Sequence, residues 1–185
     1  MKLLFSTPCR ILCAVSMLSL LPACSLFGFW HHRSHAVPVT GSLHIAPAED
    51  FVYLPAQTLH QSPHRIENTA VSGILLKQEV RAAVRDAVAA QLQLAGFDVT
   101  GQSRVLSGQI EKCSVDDEQS PARWTLRIRY IVTDTQTGRV VFSSAKTVRH
   151  EAPKFTSNPI ALEDTVRESV NVLIDDAAFA RALGN

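Results

Sequence analysis

The chain has 185 residues, 46% of them hydrophobic and 19% charged, which is enough for one domain with a core and barely enough for two. Its 18 basic and 17 acidic residues are balanced, which excludes the electrostatic footprint of a nucleic-acid-binding protein. Beyond residue 24, no stretch approaches the roughly 18 apolar residues that a membrane-spanning helix needs.

The first 23 residues divide into three parts. "MKLLFSTPCR" carries Lys2 and Arg10, a positive n-region. "ILCAVSMLSLLPA" is an uncharged apolar run of the length of a signal h-region. Leu21-Pro22-Ala23-Cys24 then ends it. This ending resembles the bacterial lipobox. The resemblance implies that Cys24 receives a diacylglycerol on its thiol, that cleavage falls between Ala23 and Cys24, and that the new amino group is acylated. Ser25, not Asp, follows the cysteine. By the same resemblance it is a sorting cue for the outer membrane, with the domain facing the periplasm. A secretory leader in which Cys24 is incidental is the alternative.

Acylation at Cys24 would tether the chain to the membrane without a spanning helix, because two or more acyl chains anchor stably where one does not. Removing 1–23 takes away Lys2 and Arg10 and leaves a mature chain with 16 basic and 17 acidic residues. Cys9 and Cys13 leave with the leader, so Cys113 is the one cysteine without an assigned role, and no intramolecular disulfide is expected.

Residues 24–41 read as a lipid-anchored tether, and 42–185 as a single domain. Phe27, Phe29 and Trp30 suit a membrane interface or are chance members of a linker. His31, His32 and His35 cluster with no Cys or carboxylate nearby, so no metal is expected. His60 and His64 have helical spacing, but Pro63 between them argues against a helical zinc pair.

The folded part opens on "SLHIAPA", 42–48, a short strand closed by Pro47. Residues 49–73 read as loop, with a short strand inside "DFVYLPA". A helix follows in "LLKQEVRAAVRDAVAAQLQLAG". Leu76, Val80, Ala83, Val84, Ala87, Ala90 and Leu94 form its apolar stripe, Val88 and Leu92 sit off it, and Gly96 closes it. Strands are expected at 97–100 and 104–115, with Leu106, Gly108 and Ile110 on one face. "WTLRIRYIVTD" alternates most clearly, burying Trp124, Leu126, Ile128, Tyr130 and Val132. "TQTG" turns the chain, and "RVVFSSAKTVRH" returns as its partner. A closing helix has Ser157 or Asn158 as cap, Glu163 and Asp164 near its positive end, and an apolar stripe from Leu162 to Ala180.

These elements make an α+β two-layer sandwich, a mostly antiparallel sheet with two helices packed on one face. Arg127 and Arg129 then lie on the open face, a possible binding stripe for an anionic headgroup or a set of cross-strand ion pairs. No nucleophile elbow, P-loop or Rossmann glycine pattern is present. The expectation is a non-enzyme with no catalytic residues, no cofactor and no metal.

The lipobox, "AGFDV", the "WTLRIRYIVTD–TQTG–RVVFSS" hairpin and the closing amphipathic helix resemble the layout of small Gram-negative envelope lipoproteins, of the YajG type or the auxiliary lipoproteins of ABC-type transporters. That resemblance implies an outer-membrane lipoprotein whose periplasmic domain binds a transport or assembly partner. A lipid-handling module with an apolar groove between sheet and helices is the second reading, and an unrecognised hydrolase the third.

Overall fold

The structure is a computed structural model that describes residues 41–69 and 73–184. Ala23, Cys24, Ser25 and the histidine and aromatic residues up to His35 lie outside the described residues. In chain order the elements are β1 (His44–Ile45), a 3-10 turn (Ala48–Asp50), β2 (Phe51–Tyr53), α1 (Leu54–Thr58), β3 (Arg65–Asn68) and β4 (Ile74–Leu75). Then come α2 (Val80–Leu94), β5 (Arg104–Asp116), β6 (Ala122–Asp134), β7 (Val140–Ala152), α3 (Asn158–Ile174) and α4 (Ala177–Ala182).

The expected α+β sandwich is what the chain adopts. Three 13-residue strands, β5, β6 and β7, form an antiparallel meander about 40 Å long. On the other edge of β5, three short strands line up in tandem and parallel to it. β1 pairs with Val105–Leu106, β2 with Gly108–Ile110 and β3 with Ser114–Val115. The short strand expected inside "DFVYLPA" is β2, while α1 and β3 stand where loop was expected. These strands are too short to show alternation in sequence, and the edge of β5 supplies the hydrogen bonds that hold them. Conversely, 97–100 is no strand and makes only isolated bridges, Ser42 to Asp98 and His44 to Thr100.

β6 buries Trp124, Leu126, Ile128, Tyr130 and Val132 as its alternation predicts. The turn after it places Gly138 at φ 67°, which glycine adopts without strain. Gly108 on β5 leaves room for the Phe51 ring, whose Cδ1 would stand 2.9 Å from an added Cβ.

α2 begins at Val80 and rolls differently from the expected stripe. Val88 and Leu92 are fully buried, Leu94 is 80% exposed, and Ala90 also faces solvent. Either face buries one leucine, but the observed face adds Val88 instead of Ala90. Two more methyl-sized groups leave water, worth about 1.5 kcal/mol.

The closing helix is also divided. α3 ends at Ile174, and Asp176 caps α4, its side chain accepting from Ala178 N. The break turns Phe179 fully into the core against Phe97 and Phe142, while Ala177 stays exposed. Glu163 and Asp164 fall beyond the first turn of α3, which has no acidic residue.

The two leucines of α2 report its roll. We expect Leu92→Ala to cost about 2–5 kcal/mol and Leu94→Ala about 0.5 kcal/mol or less in chemical denaturation. Equal costs would contradict the observed helix face.

Candidate functional site

The two sequence-predicted arginines come together on the open face of the sheet. Arg127 and Arg129 alternate outward from β6, on the side away from the helices. Between them sits Glu111, which the sequence reading did not single out. The pairing of β5 with β6 shifts between Ile110 and Lys112, so Glu111 is an extra residue, a bulge. Its carboxylate accepts from Arg127 Nε and, at 2.9 Å, from Arg129 Nε. Arg127 also donates to Thr147 Oγ1 at 3.3 Å. The hydrogen bond from Arg127 leads in holding the Glu111 carboxyl below the usual carboxylate range. The signal available in sequence was the change of phase: buried positions run 106, 108, 110 and then 113, 115.

Beside Glu111, the edge of β5 between β2 and β3 is covered by α1 and the turn after it. A recess of about 250 Å³ remains there, lined by Tyr53, Gln61, Glu67, Glu111, Lys112 and Cys113. Tyr53 is anchored by donating to the Arg65 carbonyl at 2.9 Å. Cys113 is buried, and burial pushes its thiol up to about 12, which leaves it a protonated core residue.

A larger feature lies on the helix side. The first turns of α2 and α3 both line an open groove of about 500 Å³. The two helices therefore run parallel, and beyond their far ends Phe97, just after α2, meets Phe179 of α4. Leu75, Leu76, Ala83, Pro159 and Leu162 form the apolar walls, with Lys77 and Glu163 among the polar lining. Near it, Leu75 is 73% and Ile160 54% exposed. Among the described residues, Leu106, Ile110, Ile128, Val166 and Val170 are buried in the core cluster between sheet and helices. The groove lies between the helix starts, because the segment that leads into α2 is extended through β4 and held by Leu76 N donating to the His64 carbonyl.

Two contacts strap the α3–α4 layer to β7. Lys146 Nζ donates to Asp176 Oδ2 at 2.6 Å, and His150 Nδ1 lies 2.6 Å from Glu168 Oε1. The Lys146 contact leads in holding the Asp176 carboxyl low; backbone donors at Thr137 do the same for Asp134 in the β6–β7 turn. Among the described residues no cluster of three or more metal-ligating side chains occurs, and no helix is long and apolar enough to cross a membrane.

No family model and no curated protein matches the chain. Several solved structures share part of its layout. A Xanthomonas campestris protein of the DUF330 family is 14% identical, with 73% of this chain and 80% of that one covered at a TM-score of 0.49. The PelC dodecamer of Paraburkholderia phytofirmans is 12% identical over 71% of this chain and 87% of that one, at 0.41. Lipoprotein GNA1162 of Neisseria meningitidis is 14% identical over 74% and 99%, at 0.39. Likeness at this level does not assign the chain to a family, and the YajG-type layout stays a resemblance.

The lowered carboxyls set a sign for pH dependence. A group with a depressed folded pKa stabilises above its unfolded value and loses that contribution as pH falls. The melting temperature is expected to hold between about pH 8 and 5 and to fall below about 4. Asp176→Asn keeps a capping side chain but loses the charge; it should lower the neutral-pH melting temperature and flatten the acid decline. An unchanged acid slope would remove Asp176 from this account.

Proposed function

We propose that the mature chain is a non-catalytic lipoprotein held in the outer membrane through acylated Cys24, whose periplasmic domain binds a protein of an envelope transport or assembly machine. The lipobox-like "LPAC" supports the anchor, and Ser25 supports the outer-membrane address. The observation that carries the binding role is the groove between the starts of α2 and α3. Monomeric domains rarely leave a contiguous apolar surface beside a groove, and such surfaces mark interaction sites.

The groove also has a useful position. Gly41, where the chain from Cys24 enters the domain, bonds through its carbonyl to Asp98 N, beyond the C-terminal end of α2. The groove is at the opposite end of that helix, about 22 Å along its axis. A partner in the groove therefore stays clear of the point where the anchor joins.

The anchor and the binding role are tested separately. Cys24→Ser is expected to move the protein from the membrane to the soluble periplasmic fraction; membrane retention as mature protein would defeat the anchor. For the partner, a photocrosslinking residue at Leu75 or Ile160 should trap one dominant protein in cells, while one at Val172, exposed elsewhere on α3, should not. Identical products at all three positions, or lipid as the sole adduct, would reject the protein-binding reading.

A further inference from the structure

The open sheet face holds an arrangement that folding alone does not favour. Lys112 on β5 stands directly across from Arg127 on β6. Arg129 follows two residues along on the same face, and Arg149 on β7 stands across from Thr125, diagonal to Arg127. Directly opposed side chains are about 5 Å apart and diagonal ones about 7–8 Å, and like charges placed opposite each other destabilise a sheet. Glu111 is shared by Arg127 and Arg129, and Glu67, across from Ser114 and so diagonal to Lys112, is the second carboxylate beside the group. Arg123 is taken up by Glu151 at one margin, and Asp116 lies at the border. Hydroxyls from Ser114, Thr125 and Thr147 fill the positions between the cations.

Four cations thus outnumber two carboxylates, Glu111 and Glu67, on a chain whose mature charge balance is slightly acidic. We propose that this face is a seat for the phosphate-bearing headgroups of an anionic membrane. The Glu111 fork fixes two guanidiniums, leaving their remaining donors outward, while Lys112 and Arg149 add unpaired charge on either side. Guanidiniums suit phosphate through paired donors. The inference rests on the lipoprotein reading only for its setting: residues 24–41 span at most roughly 60 Å, long enough for the domain to lie sheet-down beside its anchor. In that pose the helix layer, and the groove with it, faces away from the membrane.

The test uses the mature chain with Cys24→Ser, which has no acyl anchor, and vesicles of phosphatidylcholine with or without about one-third phosphatidylglycerol. Co-sedimentation with the anionic vesicles alone is expected, and its loss at roughly 1 M salt, where screening is nearly complete. The double reversal Lys112→Glu with Arg149→Glu breaks no ion pair, should leave the melting temperature within a few degrees, and should weaken vesicle binding at least tenfold. Equal binding to neutral vesicles, or full binding by the reversed variant, would overturn the proposal. Release by low millimolar inorganic phosphate would also overturn it, since the ligand would then be an isolated anion. Because the protein tested carries no lipid, failure here leaves Cys24 acylation standing, and failed acylation leaves the vesicle result standing.

Discussion

The extra residue that β5 accommodates at Glu111 decides what the sheet shows to each of its faces. Strict alternation from Leu106, Gly108 and Ile110 would carry Lys112 and Ser114 into the core and turn Cys113 and Val115 outward. Burying a lysine without a partner costs several kcal/mol, whereas burying a valine gains about 1.5–3 kcal/mol. The bulge resolves the conflict in one step: Cys113 and Val115 are each 3% exposed, and Lys112 is outside. Glu111 faces outward under either phase; as the extra residue it stays on the open face, where Arg127 and Arg129 share its carboxylate. A single irregularity therefore completes the core and composes the charged face.

The helix side is organised by the apolar face of β5 and β6, with Lys146 and His150 of β7 as polar straps. Tyr130 is fully buried, and its hydroxyl shares a 2.9 Å hydrogen bond with Ser169 of α3, so this inward polar tip is satisfied. Removing either partner would leave a buried group unsatisfied, at about 1–3 kcal/mol. The salt link from Lys146 to Asp176 and the close contact between His150 and Glu168 fix α3 and α4 over β7. With α3 placed and α2 parallel beside it, the two helix starts fall together and the groove between them is a consequence. The two layers thus differ in character: a cationic, hydroxyl-rich sheet face and a helix layer with an apolar cleft at one end.

How much of this was legible depended on length. β6 announced itself because thirteen residues of alternation leave no other reading, and the Gly138 turn and β7 followed from it. β2 was expected inside "DFVYLPA", but β3 was hidden, because a strand of four residues carries no period of its own; the edge of β5 organises it. On α2 the apolar positions nearly encircle the C-terminal half, so sequence spacing allowed two faces and packing chose Val88 and Leu92. Arg127 and Arg129 were readable as outward neighbours, and Glu111 alternates outward from Leu106, Gly108 and Ile110, but its sharing by two arginines was not readable, because its cross-strand register depends on a bulge that only the phase change betrays. The groove was invisible in sequence since it is built from residues far apart in the chain, Leu75 and Leu162 among them.

Cys113 reports most directly on the bulge, and with Cys24→Ser it is the one thiol of the mature chain. The measurement is the rate at which a thiol reagent labels it under native conditions, set against the rate in denaturant. Core placement, with the thiol pushed up to about 12, predicts labelling that proceeds only as fast as the domain opens and that slows when the fold is stabilised. Rapid native labelling at the rate of an exposed thiol would put Cys113 on the open face, and with it would go the phase change after Ile110, the outward Lys112 and the two-faced account built on them.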